Sequence, residues 1–189
     1  LLSAAGMISP FVAVGIHEGI MRFCLDKGVN HKLILSIGLR IFLASSVLFG
    51  LLIPILSVVP MVSENLLFLY FYCILQEYMT ILHCYIRGKD DVKLYSFLGF
   101  LSALFVAFLN VLFIVVLHWG VAGYKITMIL SPIMTAVAAI LLGRLKEEFT
   151  IKLWNKKLAT DILKYSVVLI PNSLLWNVIN TSDRFFVSY

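Results

Sequence analysis

The chain has 189 residues, 61% of them hydrophobic and 13% charged, with a formal net charge of +5 and a mean hydropathy of +1.01. A soluble domain carries roughly twice that charged fraction, about 25%, so an aqueous core of this size cannot hide the apolar surface and lipid must be its solvent. The excess positive charge is concentrated in particular gaps between apolar runs, which suits anionic lipid head groups and excludes a nucleic-acid binder.

Six apolar runs follow one another: Leu1–Ile16, Leu33–Val59, Leu66–Ile86, Leu94–Leu117, Val121–Gly143 and Ile162 onward. Each of the middle four has about 20 residues or more, enough at about 1.5 Å per residue to cross a hydrocarbon core of about 30 Å. The first and last are read as truncated, because the chain starts at Leu1 inside an apolar run and stops soon after Arg184. The start has no Met, basic n-region or small-residue cleavage site, so it is not a signal peptide. The expected fold is all-α: a polytopic transmembrane bundle of about six helices, two of them cut short.

The gaps set the orientation. His17–Lys32 holds Arg22, Lys27 and Lys32; Arg87–Lys93 holds Arg87, Lys89 and Lys93; Arg144–Asp161 holds Arg144, Lys146, Lys152, Lys156 and Lys157. Pro60–Asn65 and His118–Gly120 hold no Lys or Arg. Basic residues therefore fill every second gap, as the positive-inside rule requires, and those three gaps are expected on the cytoplasmic side. The first run then enters from outside, so an odd number of helices precedes it if the N-terminus is cytoplasmic.

The longest and most basic gap, 144–161, carries Leu145, Phe149, Leu153, Trp154 and Leu158 at roughly helical spacing among its lysines. An interfacial helix is expected there, the alternative being a solvated loop. Thr160-Asp161 offers an N-cap for the last helix. This segment is the linker between two parts, 1–143 and 162–189. Pro10, Pro54, Pro132 and Pro171 sit inside runs, where each removes a backbone hydrogen bond and favours a kink. Asn172 and Ser173 follow Pro171 and suit the freed carbonyls.

Several polar residues lie at membrane depth. Arg40 is on the order of 10 Å from the cytoplasmic end of its run and Glu77 on the order of 15 Å, by the helical rise. Three readings of Arg40 stay open: a buried pair with Glu77, snorkelling to the interface, or contact with an anionic substrate in a cavity, with Glu77 as a proton carrier. Gln76 and Asn110 read as interhelical hydrogen-bond donors. His83 reads as a packed or wetted histidine, with a proton relay as the alternative. Lys125, near an outer helix end, either snorkels or adds positive charge to a cavity. Asp183 and Arg184 point about 100° apart on a helix, so each needs its own partner or solvent. Cys24, Cys73 and Cys84 form no CxxC or Cys/His spacing, so no disulfide framework and no metal site is expected. No nucleophile–base constellation appears, and an enzyme is not expected.

The arrangement Tyr165-Ser-x4-Ile170-Pro171-Asn172-Ser-x2-Trp176-x6-Ser182-Asp183-Arg184-Phe resembles the seventh helix of Wzx-type polysaccharide flippases of the multidrug/oligosaccharidyl-lipid/polysaccharide (MOP) superfamily. Gly15–Phe23 resembles the loop after that family's second helix. Tyr85–Ser96, with Arg87 and Gly88, resembles its fourth-to-fifth loop, and Gly120-Val-Ala-Gly123-Tyr124 the start of its sixth helix. The resemblance implies a MOP/MATE-like N-terminal lobe lacking its first helix (1–143), a basic cytoplasmic linker (144–161) and the first helix of a C-terminal lobe (162–189). It implies a flippase for undecaprenyl-pyrophosphate-linked oligosaccharide (O-antigen or capsule repeat units) in the bacterial cytoplasmic membrane, working by alternating access. No bound cofactor is implied, and a proton or sodium gradient is the suspected drive. Implied partners are the lipid-linked oligosaccharide, anionic membrane lipids and the polysaccharide polymerase machinery.

Arg40, Glu77, Lys125, Asp183 and Arg184 are the cavity candidates, of which Asp183 and Arg184 lie in the matched motif; Arg22 and Arg87 match loop patterns suited to topology or gating. Other exporters of the superfamily, for peptidoglycan precursor or cationic drugs, are the alternative reading. A membrane enzyme of polysaccharide assembly is the second, although its large external loop is missing from these very short outer gaps.

Overall fold

The computed structural model describes residues 6, 9–10, 12–26, 28–56, 65–149 and 153–187, the side chains of 52–56, 177 and 180–187 excepted. Among the described residues the chain is all-helical. Six α-helices follow in order: α1 Ile16–Cys24, α2 His31–Leu56, α3 Leu66–Gly88, α4 Val92–Asn110, α5 Gly120–Leu142 and α6 Lys156–Val187. A π-helical turn, Val111–Val116, continues α4, and a 3-10 turn, Leu145–Glu147, follows α5. Five segments are long and apolar enough to cross a bilayer: His31–Leu51, Leu66–Gly88, Val92–Val116, Gly120–Leu142 and Lys156–Trp176. The chain is a multi-pass membrane protein.

Helix α1 corrects the reading of 17–32 as a plain loop. Ile16, Gly19, Ile20 and Cys24 are buried along one face, the spacing of an amphipathic helix. Val14 (φ 53°) and Gly15 (φ 62°) are both left-handed and separate α1 from the helical residues before it. Glycine accepts that conformation freely, whereas valine is strained in it. Asn30 precedes α2 and caps it, its side chain accepting from the Lys32 amide (3.1 Å).

Helices α3 and α4 are joined by a tight turn, and the sequence between them explains why. At the end of α3, Asp90 turns left-handed (φ 65°), its amide donates to Arg87 O (3.0 Å) and that of Asp91 to Ile86 O (3.3 Å). This is the Schellman pattern. The Asp91 side chain then caps α4 by accepting from the Leu94 amide (3.1 Å).

The segment 144–161 departs from expectation. Arg144 is left-handed (φ 50°) and ends the helical path; only the short turn 145–147 follows, with no interfacial helix among the described residues. α6 starts at Lys156, earlier than Ile162. Its cap is Asn155, which accepts from the Leu158 amide (3.2 Å), while Thr160, the expected cap, donates to Lys156 O (2.9 Å) one turn inside the helix. A side-chain acceptor three residues before an amide satisfies an otherwise orphaned donor, and Asn155 is the first residue able to do so. Of the proline candidates, Pro132 and Pro171 lie inside α5 and α6 and Pro54 within α2, and each helix runs through its proline. Pro10 belongs to the helical residues before α1, and its carbonyl accepts from the Gly15 amide (3.2 Å).

The core gathers around α1, which packs on α2, α3 and α6. Ile16 and Ile20 share one buried cluster with Ile34, Leu35 and Ile37 of α2, Ile81, Leu82 and Tyr85 of α3, Leu145 and Ile162. Lipid tails are as apolar as these side chains, so close packing, not hydrophobicity alone, holds such helices together. Small residues make it possible: a Cβ on Gly88 would lie 2.5 Å from Cys24 Cβ, and one on Gly19 2.4 Å from Ser166 Oγ.

Candidate functional site

The ties between helices separate the two ends of the bundle. At one end Gly88 meets Cys24, Lys89 reaches Glu148 and Ser36 donates to Leu153 O (3.0 Å), so the three basic gaps are brought together. At the other end Lys125 Nζ donates to Asn65 Oδ1 (2.5 Å), joining the start of α5 to the start of α3. The charge alternation read along the sequence is therefore also a segregation in space.

At the basic end the linker is docked. Glu148 accepts from the Tyr85 hydroxyl (2.6 Å) and from Lys89 Nζ (2.6 Å). Burial raises the proton affinity of its carboxyl, but the hydrogen bonds from Lys89 and Tyr85 and the Lys89 charge outweigh this and hold it below the usual glutamate value. Leu145 is buried, and Phe149 packs on the core. This is neither of the two expected forms, the interfacial helix or the solvated loop; a carboxylate anchored by two donors on α3 pulls the segment inward.

Beside the linker lies a cavity of about 350 Å³ between α2, α3 and Phe149. Ser36, Leu39, Arg40 and Phe42 line it from α2 and Tyr78 from α3. The Arg40 guanidinium lies over the Trp154 ring, 5.4 Å from its centroid, a cation–π contact. The walls are almost wholly apolar, and Arg40 is the one charged residue among those lining them. Such a site suits a ligand with an apolar body and an anionic group.

Of the three readings of Arg40, the pair with Glu77 does not form: Arg40 lies over Trp154. Glu77 Oε2 faces His17 Nδ1 at 3.3 Å, and His17 Nε2 is 3.9 Å from Glu18 Oε1. A carboxylate that deep needs a partner, and α1 brings one nearer than α2 does. Lys125, besides holding Asn65, lies over the Phe68 ring (5.8 Å); it braces the far end and does not line the Arg40 cavity. Asp183 and Arg184 fall within α6, but their side chains are outside the described residues. Arg22 pairs with Asp26 on the surface (2.5 Å), and Arg87 lies over Tyr95 (5.5 Å).

A second, smaller cavity of about 190 Å³ opens between α3, α4 and α5, with Tyr72, Gln76, Ser102 and Ser131 on its walls. Asn110 Oδ1 is buried without a hydrogen-bond partner among the described residues, at the junction of α4 with the π turn. His83 packs edge-on to Tyr95 (5.8 Å). Burial pushes the Cys24 thiol up to about 12, so it is an inert filler at neutral pH. No group of three or more His, Cys, Asp or Glu able to hold a metal occurs among the described residues.

Sequence reasoning missed His17, Ser36, Glu148, Trp154 and Asn155 as partners. For His17 a signal was present: Ile16, Gly19, Ile20 and Cys24 have helical spacing and place His17 on a helix. No family model, no curated protein and no solved structure matches this chain.

Proposed function

We propose that the chain is the N-terminal-lobe part of a flippase that moves undecaprenyl-pyrophosphate-linked oligosaccharide across the bacterial cytoplasmic membrane by alternating access. The observation that carries this reading is the Arg40 cavity. Its walls from α2 and α3 are apolar, and its single guanidinium stands at the basic end of the bundle. A pyrophosphate-linked lipid has the matching chemistry, because its diphosphate binds a guanidinium with charge-assisted hydrogen bonds and its tail stays in apolar surroundings. The resemblance of 165–185 and 85–96 to Wzx-type flippases supports the same cargo. Drug export is favoured less, since the one buried carboxylate among the described side chains, Glu77, faces His17 and does not line this cavity.

The test is export of lipid-linked oligosaccharide by the full-length protein in proteoliposomes, with Arg40→Gln and Arg40→Lys. Export is expected to fall at least tenfold in Arg40→Gln and to be partly kept in Arg40→Lys, at equal protein levels. Wild-type export by Arg40→Gln overturns the role of the cavity, and no export by the unaltered protein overturns the flippase.

A further inference from the structure

Glu77 is the one fully buried carboxylate among the described residues, 5% exposed, and neither the cavity nor the linker accounts for it. Its Oε2 and His17 Nδ1 have no hydrogen-bond partner among the described residues other than what each offers the other. The His17 side chain is 16% exposed, so one edge of the pair reaches the outside of the packed core. Facing the pair are Glu18 from α1, 3.9 Å from His17 Nε2, and Cys73 and Cys84 one to two turns away on α3. α5 brings only the hydroxyls of Thr127, Ser131 and Thr135 to its buried face. α6 brings Ser166 against Gly19 and Tyr165 edge-on to Phe23. α2 carries Arg40, which is turned onto Trp154.

Counting charge shows what such a pair can hold. With one proton on the imidazole nitrogens beyond the neutral form, imidazolium and carboxylate cancel, and the low-polarity surroundings cost little. Releasing that proton leaves an uncompensated buried carboxylate, which is strongly unfavourable, and Glu18 adds charge of the same sign. The pair therefore binds a single proton tightly and gives it up only when water or another positive charge reaches Glu77. Histidine is the side chain whose ordinary range allows this exchange near neutral pH.

We propose that His17 and Glu77 form an exchangeable proton-binding site inside the bundle, loaded and emptied through the exposed edge of His17. Any use of this proton to drive transport rests on the flippase reading; the site itself does not.

The experiment is an NMR pH titration of the full-length protein in lipid nanodiscs, with ¹⁵N-labelled histidine and His17→Gln to assign the His17 signal. His17 is expected to hold its proton at least tenfold more tightly than a free histidine in the same buffer. In Glu77→Gln that affinity falls at least tenfold, and Glu77→Asp, which keeps the charge, restores part of it. The titration is expected to be independent of sodium at constant ionic strength. Two results overturn the proposal: a His17 midpoint unchanged by both Glu77 variants, or one that moves with sodium, which makes the pair a cation site. Export plays no part in this readout, so failure of the flippase reading leaves the result standing.

Discussion

Helices α3 and α4 are neighbours joined by a three-residue turn, yet they solve opposite problems. The most apolar stretch of the span containing α4, Val92–Val116, has a mean hydropathy of 2.6 and is only 6% buried in protein; that of α3 has 1.3 and is 28% buried. In water the more apolar helix would be the more buried one. Here the order is reversed, because lipid receives apolar side chains at no cost while polar ones need protein or water. Phe97, Phe100, Leu104 and Phe108 of α4 are exposed, whereas α3 turns Glu77 to His17, Tyr85 and Lys89 to the linker and Gln76 to a cavity. Within this pair, the less apolar helix is the one that carries the polar ties to its neighbours.

The largest effect should come from breaking that division on the lipid face. Leu104→Arg places a charge near the middle of the α4 span, where an arginine costs about 2.5–3.5 kcal/mol for insertion. Membrane insertion measured by a glycosylation-reporter assay should fall by roughly a hundredfold in equilibrium terms, at about 1.4 kcal/mol per tenfold. Insertion equal to the unaltered span would mean that α4 is covered by protein or water at that depth and would undo the comparison.

A pair of glycines sharpens it at smaller scale. A Cβ at Gly88 of α3 would meet Cys24 Cβ at 2.5 Å, while one at Gly99 of α4 meets nothing within 4 Å. Gly88→Ala should lower stability by about 1–3 kcal/mol through overpacking. Gly99→Ala should be neutral or raise it by up to about 1 kcal/mol, since alanine restricts the helix backbone. Thermal unfolding in nanodiscs, followed by circular dichroism, reads both; an equal response would show that the two helices are packed alike.

How much of this was legible in the residues follows the same division. The spans and the alternation of basic gaps could be read because each depends on composition summed over about twenty residues. Partner choice could not, because it turns on which helices touch. Arg40 and Glu77 lie within about one helical turn of each other in depth, and depth is all that a count of residues supplies; α1, hidden within a charged stretch, decides that Glu77 meets His17 instead. Asn155 and Thr160 are both good caps in isolation, and only the docked course of the linker selects the first. Trp154 read as part of an interfacial helix because it recurs with Leu145, Phe149, Leu153 and Leu158 at roughly helical spacing among lysines, but it lies against Arg40.

The smallest predicted effect tests whether that docked linker belongs to the α3 side of the comparison. Glu148 has its carboxyl held below the ordinary value of 4.5 against the opposing effect of burial, by hydrogen bonds from Lys89 and Tyr85. A group depressed in the folded state contributes its full stabilisation above the unfolded value and loses it as pH falls through the folded one. At neutral pH the contact is therefore intact, and acidification below about 4.5 should release 145–154 from α3 while α4 is unaffected. Glu148→Gln should produce much of that release at pH 7, at a cost of about 1 kcal/mol once partial exposure is allowed for. Limited proteolysis of the linker reads it directly: cleavage should rise several-fold in the variant at neutral pH and in the unaltered protein only on acidification. Cleavage that ignores both would show that Leu145 and Phe149, packed against the core, hold the linker by themselves, leaving the carboxylate only to choose where it lies.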